Sequence, residues 1–250
     1  AGLFLSWMND GNDLVAETSR INLYSEYSLH DQLKRQAAGL GGRIEVAIEG
    51  KIADALRPDG EIVEIQTGSL SPIVDKAEFW CSKGYRLRIQ IPLAALKTIV
   101  RIRQSSSEII SRRRSPKKEA LWSVFDRFVR ASSLLSLPGL VIELVYIEME
   151  EIRTVLEEPV RRGRFFKSYA TVDRNLVAVR ESREFASPAD WLALLPDCDS
   201  GYWTSTSLGK AAGIGTNQSR KVLYTYARAG FLIEIPSEGR AKRYSPGVPG

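Results

Sequence analysis

The chain has 250 residues and a formal net charge of +5, from 35 lysines and arginines against 30 aspartates and glutamates. Hydrophobic residues make up 44% and charged residues 26%, values that exclude wholesale disorder and fibrous repeats. Two cysteines and one histidine are too few for a disulfide framework or a metal site with several histidine ligands. No apolar run reaches membrane-spanning length, and we expect a reduced, cytoplasmic protein without a signal peptide.

The first half of the chain alternates between helical and strand patterns. Apolar spacing and β-branched alternation predict, in order, a helix, one or two strands, a return strand and a second helix. These segments are residues 22–38, 43–56, 61–67 and 71–83. The turn sequence at 57–60 joins the strands before and after it into a hairpin. Ser71 as N-cap and Pro72 at the first helical position start the second helix.

The middle of the chain predicts more strands and one long helix. Its patterns indicate two strands, a Ser- and Arg-rich loop, a helix and a buried strand. These segments are residues 86–93, 97–103, 104–118, 119–135 and 140–150. The order of helices and strands predicts an α/β fold with an antiparallel hairpin at its centre.

The pattern of predicted helices and strands changes near residues 186–188. This change predicts two domains, 1–185 and 186–250. The second begins with a short helix at 188–196. Thr206 and Thr216 are the predicted caps of two further helices, separated by a tight turn at 213–215. A small β-ribbon at 231–244 completes this module.

Basic residues are concentrated in two parts of the chain. Residues 101–130 contain nine basic and three acidic residues, and residues 161–183 contain seven and two. Such clusters are typical of phosphate-binding surfaces, although solvated loops explain them equally well. The expected backbone contacts are Arg112, Arg113, Arg114, Lys117, Lys118, Arg161, Arg162, Arg164 and Lys167. The neighbouring Phe165, Phe166 and Tyr169 are either base-stacking rings or residues of a strand core.

A pair of carboxylates stands on the predicted hairpin. Glu64 and Gln66 are two residues apart and share one face of a strand, and the turn brings Asp54 opposite Glu64. Carboxylates so placed suit Mg²⁺, which can bind a phosphate and lower the pKa of an attacking water. The carbonyl of Ile65 and the carboxylate of Glu26 are candidate additional ligands. The alternative is an exposed edge hairpin without function.

These residues resemble the PD-(D/E)XK nuclease superfamily, which has the restriction-endonuclease-like fold. The resemblance covers most of residues 22–150 and depends on Glu26 in a helix, Asp54, Glu64-Ile65-Gln66 and a following helix. It implies a mixed sheet flanked by helices, with Asp54 and Glu64 as ligands of Mg²⁺, or of Mn²⁺ in its place, and Glu26 as an auxiliary ligand.

The chain departs from that superfamily at one position. The usual lysine is replaced by Gln66, which can orient a water but adds no positive charge. We expect Lys34, on the helix that carries Glu26, to be the relocated cation. His30 shares that helix face and is either a proton shuttle, a phosphate contact or a structural histidine.

The C-terminal module resembles a winged helix-turn-helix domain. That resemblance implies that residues 216–229 form the helix that enters the major groove. The side chains expected to contact bases and phosphates are Thr216, Asn217, Gln218, Arg220 and Lys221, with Arg240, Lys242 and Arg243 on the wing. Winged helices also serve as protein-interaction modules, which is the alternative.

Together these observations predict a Mg²⁺-dependent nuclease that hydrolyses DNA. The resemblance to the PD-(D/E)XK superfamily implies products with a 3′-hydroxyl and a 5′-phosphate. A non-catalytic DNA-binding regulator on a degenerate nuclease scaffold is the second hypothesis, and a protein-interaction adaptor is the third. The sequence leaves open DNA against RNA, endo- against exonuclease action, and monomer against homodimer.

Overall fold

The computed structural model describes residues 28–162, 164–198, 200–237 and 239–247; it does not describe the side chains of Glu157, Glu158, Arg162, Phe165 and Lys167. The helices are α1 (Ser28–Ala38), α2 (Val74–Ser82), α3 (Phe125–Phe128), α4 (Pro188–Leu192), α5 (Ser205–Ala212) and α6 (Thr216–Arg228). The strands are β1 (Arg43–Ile48), β2 (Lys51–Leu56), β3 (Ile62–Ile65), β4 (Leu87–Ile102), β5 (Ile109–Arg114), β6 (Leu140–Arg162), β7 (Phe165–Phe185), β8 (Leu232–Ile235) and β9 (Arg243–Pro246).

The protein is α/β, with one large mixed sheet flanked by helices. The strand order is β1-β2-β3-β4-β6-β7, and β5 pairs with β4 outside this path. The β1–β2, β2–β3 and β6–β7 pairs are antiparallel, whereas β3, β4 and β6 run parallel to one another. The predicted hairpin is present, but its expected central position is wrong because parallel strands occupy the middle of the sheet.

Neighbouring residues of β3 pack into two separate cores. Ile62 belongs to a cluster with Trp80 of α2, while Val63 belongs to a cluster with Leu29 and Leu33 of α1. Successive side chains of a strand point to opposite faces, so α1 and α2 cover opposite faces of the sheet. Burial of each apolar side chain of this kind contributes about 1.5–3 kcal/mol to the free energy that stabilises the fold.

Helix α1 also docks on the outer edge of the sheet. The Ser28 backbone N–H and hydroxyl both donate to the Asp173 carboxylate of β7, at 2.9 and 2.6 Å. Further along, the Leu176 N–H of β7 donates to the Gln32 side-chain oxygen at 2.7 Å. These bonds fix the helix that carries His30 and Lys34 relative to the sheet.

The first predicted elements are found with small differences. The alternating segment at 43–56 is two strands, β1 and β2, and Ala55 pairs with Val63 across the β2–β3 hairpin. The first predicted helix is described from Ser28 onward, and its earlier residues lie outside the described part. The second begins as a 3₁₀ turn over Ser71–Ile73, and Leu70 rather than Ser71 occupies the N-cap.

Three predictions for the middle of the chain are wrong. The two strands expected at 86–103 are one continuous strand, β4, whose register shifts at a bulge between Ala94 and Leu96. The expected loop at 104–118 contains β5, which pairs with the end of β4. The long helix expected at 119–135 is a 3₁₀ turn, the short α3 and a second 3₁₀ turn, Ser132–Ser136.

Strand β6 is much longer than its pattern predicted, and β7 occupies a region where a strand was only one alternative for residues 165–169. The predicted strand at 140–150 is the first half of β6, which has 23 residues, and β7 has 21. A strand of that length extends about 70 Å along its path at about 3.3 Å per residue. The pairing with β4 ends at Thr154, beyond which β6 and β7 continue as a two-stranded arm.

The C-terminal residues form two helices joined by a turn, followed by the β8–β9 hairpin. Thr204 caps α5, not Thr206, and Gly215 occupies the N-cap of α6, not Thr216. The Tyr226 ring of α6 packs edge-on against Phe125, at 5.3 Å between ring centroids. Within the described part of the chain, no helix has the length and apolar character needed to cross a membrane.

Candidate functional site

Asp54 and Glu64 meet where β2 and β3 diverge. The last paired residues of this hairpin are Ala55 and Val63. Beyond them, the Glu64 carboxylate accepts the Asp54 backbone N–H at 3.2 Å, and the Asp54 carboxylate accepts the Ile65 N–H at 2.8 Å. Side-chain oxygens thus take the place of ladder carbonyls, and they hold both acids next to each other.

Helix α1 supplies two basic side chains to Asp54. His30 Nε2 lies 3.3 Å from Asp54 Oδ2, and Lys34 Nζ lies 3.6 Å from Asp54 Oδ1. The two residues are four apart and therefore share one face of the helix. Burial raises the pKa of Asp54, but the bonds from His30 and from the Ile65 N–H, with the charge of Lys34, bring the pKa below its usual value.

Helix α2 supplies a cation to Glu64. Lys76 Nζ lies 2.7 Å from Glu64 Oε1 and 4.9 Å from the centroid of the Trp80 ring. Glu64 is only 2% exposed. Burial, followed by the negative charge of Asp54, raises the pKa of Glu64 above its usual value although Lys76 acts in the opposite direction.

Lys76 is a site residue that the sequence did not predict. It stands twelve residues after Glu64 on a helix of the opposite face from α1, and no local pattern links the two. The available signal was its place on the first turns of the helix that follows the acidic strand. Lys34, the predicted relocated cation, does lie at the site, and its Nζ is also 3.4 Å from Glu45.

Gln66 is anchored by its backbone. Its N–H donates to the Gln90 carbonyl of β4 at 2.9 Å, and its carbonyl accepts from Arg127 Nη1 at 3.3 Å. Its side chain makes no hydrogen bond to a described residue. The position expected for a lysine is therefore fixed in space at the end of β3, beside the carboxylate pair.

The donor set suits a hard divalent cation. Asp54 and Glu64 offer carboxylate oxygens, the ligand type that Mg²⁺ prefers. A cation bound by both would offset the burial and the repulsion from Asp54 that together raise the pKa of Glu64. Residues 28–162 and the later described ranges contain no group of three or more His, Cys, Asp or Glu arranged for a metal. Glu26, the predicted auxiliary ligand, lies outside the described residues.

The predicted backbone-contacting residues occupy strands and exposed loops. Arg112, Arg113 and Arg114 are exposed on β5 instead of in a loop, and Arg112 pairs with Glu150 of β6. Lys117 and Lys118 follow on an exposed segment, and Arg161 and Arg164 are exposed near the tip of the β6–β7 arm. The side chains of Arg162 and Lys167 lie outside the described part. The arm also carries Phe166, which is 73% exposed.

The polar residues of α6, the predicted groove-binding helix, form two groups: some are exposed to solvent, and others contact the rest of the chain. Thr216, Asn217 and Arg220 are exposed. Gln218 instead donates to the Trp122 carbonyl at 2.5 Å, and Lys221 Nζ lies 2.8 Å from Asp126. Both contacts join α6 to the region around α3, so these two side chains are engaged within the chain.

The predicted wing residues lie in and beside the β8–β9 hairpin. Arg240 is exposed in the turn. Lys242 pairs with Glu234 at 2.8 Å, and the Arg243 guanidinium covers the Tyr202 ring at 4.8 Å from its centroid. Only Arg240 is without such a contact among the three in the described structure.

Comparisons with known proteins identify relatives without a known activity. The family described as "Domain of unknown function (DUF8091)" matches residues 27–186, a range that contains both carboxylates and all of the large sheet. An "Uncharacterized protein" from Treponema pallidum (strain Nichols) is 29% identical over 238 residues, which cover 92% of this chain and 89% of that protein. No solved structure matches the chain.

Proposed function

The chain belongs to the DUF8091 family, and we propose that this member is a metal-dependent nuclease that hydrolyses phosphodiester bonds of DNA. The observation that carries the proposal is the pair Asp54 and Glu64 at the diverging ends of two strands, where Glu64 is buried and Asp54 is half-buried. Placing two carboxylates side by side and largely away from water is costly unless they are compensated, and a cation-binding role accounts for that arrangement.

The order of elements supports a PD-(D/E)XK-like arrangement for residues 1–185. Helix α1 precedes the β1–β3 meander, the acids lie on β2 and β3, and α2 leads into the parallel strand β4. The α5–α6 pair with the β8–β9 hairpin supports a winged helix in residues 186–250. Both assignments belong to the proposal.

Lys76 supports the catalytic hypothesis over the regulatory one. The superfamily lysine is Gln66 here, but the Lys76 ammonium stands 2.7 Å from Glu64 and supplies a positive charge from α2. Such a cation, held beside the acids in a partly desolvated site, stabilises negative charge on a phosphoryl group in the transition state. Lys34 supplies a second charge on the Asp54 side.

Asp54 and Glu64, with the Ile65 carbonyl and Glu26, would hold Mg²⁺ or Mn²⁺. When bound, the metal lowers the pKa of a water and neutralises charge on the phosphate. In the hydrolysis, the water oxygen attacks phosphorus and the bond to the 3′ oxygen breaks. That oxygen takes a proton and leaves as a 3′-hydroxyl, while the 5′-phosphate stays on the other product. Gln66 orients the water, and His30 is placed to move a proton.

Exposed residues of α6 support DNA binding by the C-terminal module. Thr216, Arg220 and Arg228 are exposed at four- and eight-residue spacings, and Tyr224, 43% exposed, lies between the arginines. They form one stripe along the helix, next to Asn217. The contacts of Gln218 and Lys221 with the α3 region hold this stripe in a fixed orientation.

The test is cleavage of labelled duplex, single-stranded, flap and four-way-junction DNA, with RNA counterparts, in Mg²⁺, Mn²⁺ or EDTA. Asp54→Asn and Glu64→Gln are the site variants, and Glu78→Gln, an exposed glutamate on α2, is the matched control. We expect metal-dependent cleavage by the wild type and by Glu78→Gln, with none by the site variants. DNA binding without cleavage in either metal would instead favour the regulator on a degenerate scaffold.

A further inference from the structure

A cavity of about 150 Å³ lies on the α1 face of the sheet, and Thr67, three residues after Glu64, is part of its lining. Its apolar part is formed by Leu29 of α1 with Ile147 and Met149 of β6. Leu29 directly precedes His30, which contacts Asp54. The cavity and the candidate catalytic site therefore share one helix as a wall.

Arg127 joins the cavity to the end of β3. Its guanidinium lines the cavity and is 14% exposed. One of its nitrogens donates to the Gln66 carbonyl at 3.3 Å and to the Pro92 carbonyl at 3.2 Å. A ligand bound to Arg127 therefore lies next to Gln66, the residue that follows β3.

Four cationic side chains and two carboxylates line the cavity, and the carboxylates are already compensated. Glu119 accepts the Ala94 N–H at 2.8 Å and a bond from Arg127 at 3.2 Å. Glu151 pairs with Arg153, whose Nη2 lies at 2.5 Å and which is not itself among the lining residues.

The cationic side chains of the lining outnumber its carboxylates, four against two. Lys97 and Arg174 both contact Glu151, at 3.7 and 3.5 Å. Lys117 lies at the rim, and its ammonium makes no ion pair with any described residue. A small multiply charged anion would complete this arrangement, because each of its oxygens can accept a charge-assisted hydrogen bond.

The size of the cavity limits the anion. Liquid water occupies about 30 Å³ per molecule, so the volume corresponds to about five waters, enough for a phosphate group with its hydration. A terminal phosphate at neutral pH carries between one and two negative charges, whereas each internal phosphodiester carries one. Walls from α1, the sheet and the α3 region leave the cavity half open, a shape that can take the end of a strand.

We propose that this cavity binds the terminal phosphate of a nucleic acid strand, with Lys117 and Arg127 as the principal contacts. The proposal rests on the proposed function and specifies its substrate as DNA with a phosphorylated end. It predicts that the protein engages ends and cuts close to them, since Arg127 of the cavity also bonds the carbonyl of Gln66, two residues after Glu64.

The test measures binding of a short DNA hairpin by fluorescence anisotropy in EDTA, so that no cleavage interferes. The single free end carries a 5′-phosphate, a 3′-phosphate or two hydroxyls. We expect one phosphorylated form to bind about tenfold more tightly than the hydroxyl form, the effect of one charge-assisted contact. Inorganic phosphate added as a competitor should reduce that preference. The size of the reduction shows how well free phosphate binds at the same site.

Two neighbouring lysines provide the variants. Lys117→Gln removes the rim charge and should abolish the preference, while Lys118→Gln removes an equal charge from a residue outside the cavity lining. Lys118→Gln should weaken all three hairpins by the same factor and keep the preference. Equal effects of the two variants on the preference would contradict the proposal.

The outcomes separate this inference from the nuclease proposal. Equal binding of all three ends by a wild type that cleaves DNA would remove the cavity proposal and leave the nuclease. A preference for a phosphorylated end without cleavage in Mg²⁺ or Mn²⁺ would support the anion site and remove the nuclease. Absence of binding to every hairpin would overturn both.

Discussion

Asp54 and Glu64 hold each other in place: the Glu64 carboxylate accepts the backbone N–H of Asp54 at 3.2 Å, and the Asp54 carboxylate bonds the amide that follows Glu64. Their environments nevertheless act in opposite directions, lowering the pKa of Asp54 and raising that of Glu64. Adjacent acids with separated pKa values are a pattern found at catalytic sites.

Asp54→Asn should destabilise the protein. The pKa of Asp54 is depressed in the fold, so its ionised form contributes stability above the unfolded pKa, and that stability is lost as the pH falls through the folded pKa. We expect the variant to lose about 1–3 kcal/mol at neutral pH, measured by urea unfolding. The difference from the wild type should shrink at acid pH; a constant difference would contradict this origin.

Glu64→Gln should have the opposite effect on stability. The pKa of Glu64 is raised, so its contribution is fully present below the unfolded pKa and is lost as the pH rises through the folded pKa. A neutral amide of the same shape avoids that loss. We expect the variant to melt at or above the wild-type temperature at neutral pH while cleavage is lost, as happens where function costs stability. A melting temperature below that of Asp54→Asn would refute the assignment.

Lys76→Met should impair catalysis and shift its pH dependence. Removal of the ammonium takes away a charge that stabilises the transition state, for which about a 100-fold loss in kcat is typical. Because Lys76 lowers the pKa of Glu64, its loss should move the acid limb of the pH–rate profile to higher pH. Lys83→Met, an exposed lysine just beyond α2 that contacts Glu49, is the control and should keep the wild-type profile.

The hairpin that carries the acids was predictable because its signals are local. Alternating apolar residues and the turn at 57–60 define β2 and β3 and bring Asp54 opposite Glu64. Lys76 was not predictable, because its contact with Glu64 depends on how α2 packs on the sheet. Strand β4 also continues through the bulge after Ala94 because it pairs with β6. The sequence of β4 alone does not reveal that pairing.

The salt dependence of DNA binding should separate the proposed contact surfaces. Each phosphate contact contributes a slope of about −0.9 to a plot of log K against log salt concentration for duplex DNA. Arg113 and Arg114 are both exposed on β5. A double variant with alanine at both positions should therefore make the slope less steep by the amount that about two phosphate contacts contribute. Arg228→Ala tests the stripe on α6 in the same way. A slope that neither change alters would contradict binding through these surfaces.

Tyr226→Phe should destabilise the whole molecule through the C-terminal module. The Tyr226 hydroxyl donates to the Trp191 carbonyl at 2.6 Å, and both side chains are fully buried. The variant loses a buried hydrogen bond, for which about 0.5–1.5 kcal/mol is typical, while the Trp191 carbonyl keeps the Leu194 N–H at 3.1 Å. The core cluster of Tyr226 includes Phe125 and Ile89, so calorimetry should show one transition shifted to lower temperature. Two separated transitions would refute the shared core.

Helix α1 has a consequence for the behaviour of the protein at high concentration. Strand β7 is the last strand of the sheet, and the open side of such a strand is a template on which another molecule can add its own strand. Gln32 occupies the Leu176 amide on that side, while Arg174 and Arg180 place charge along the same strand. The helix that brings His30 and Lys34 to the acids therefore also covers this open strand edge, and its detachment would lower the solubility of the protein.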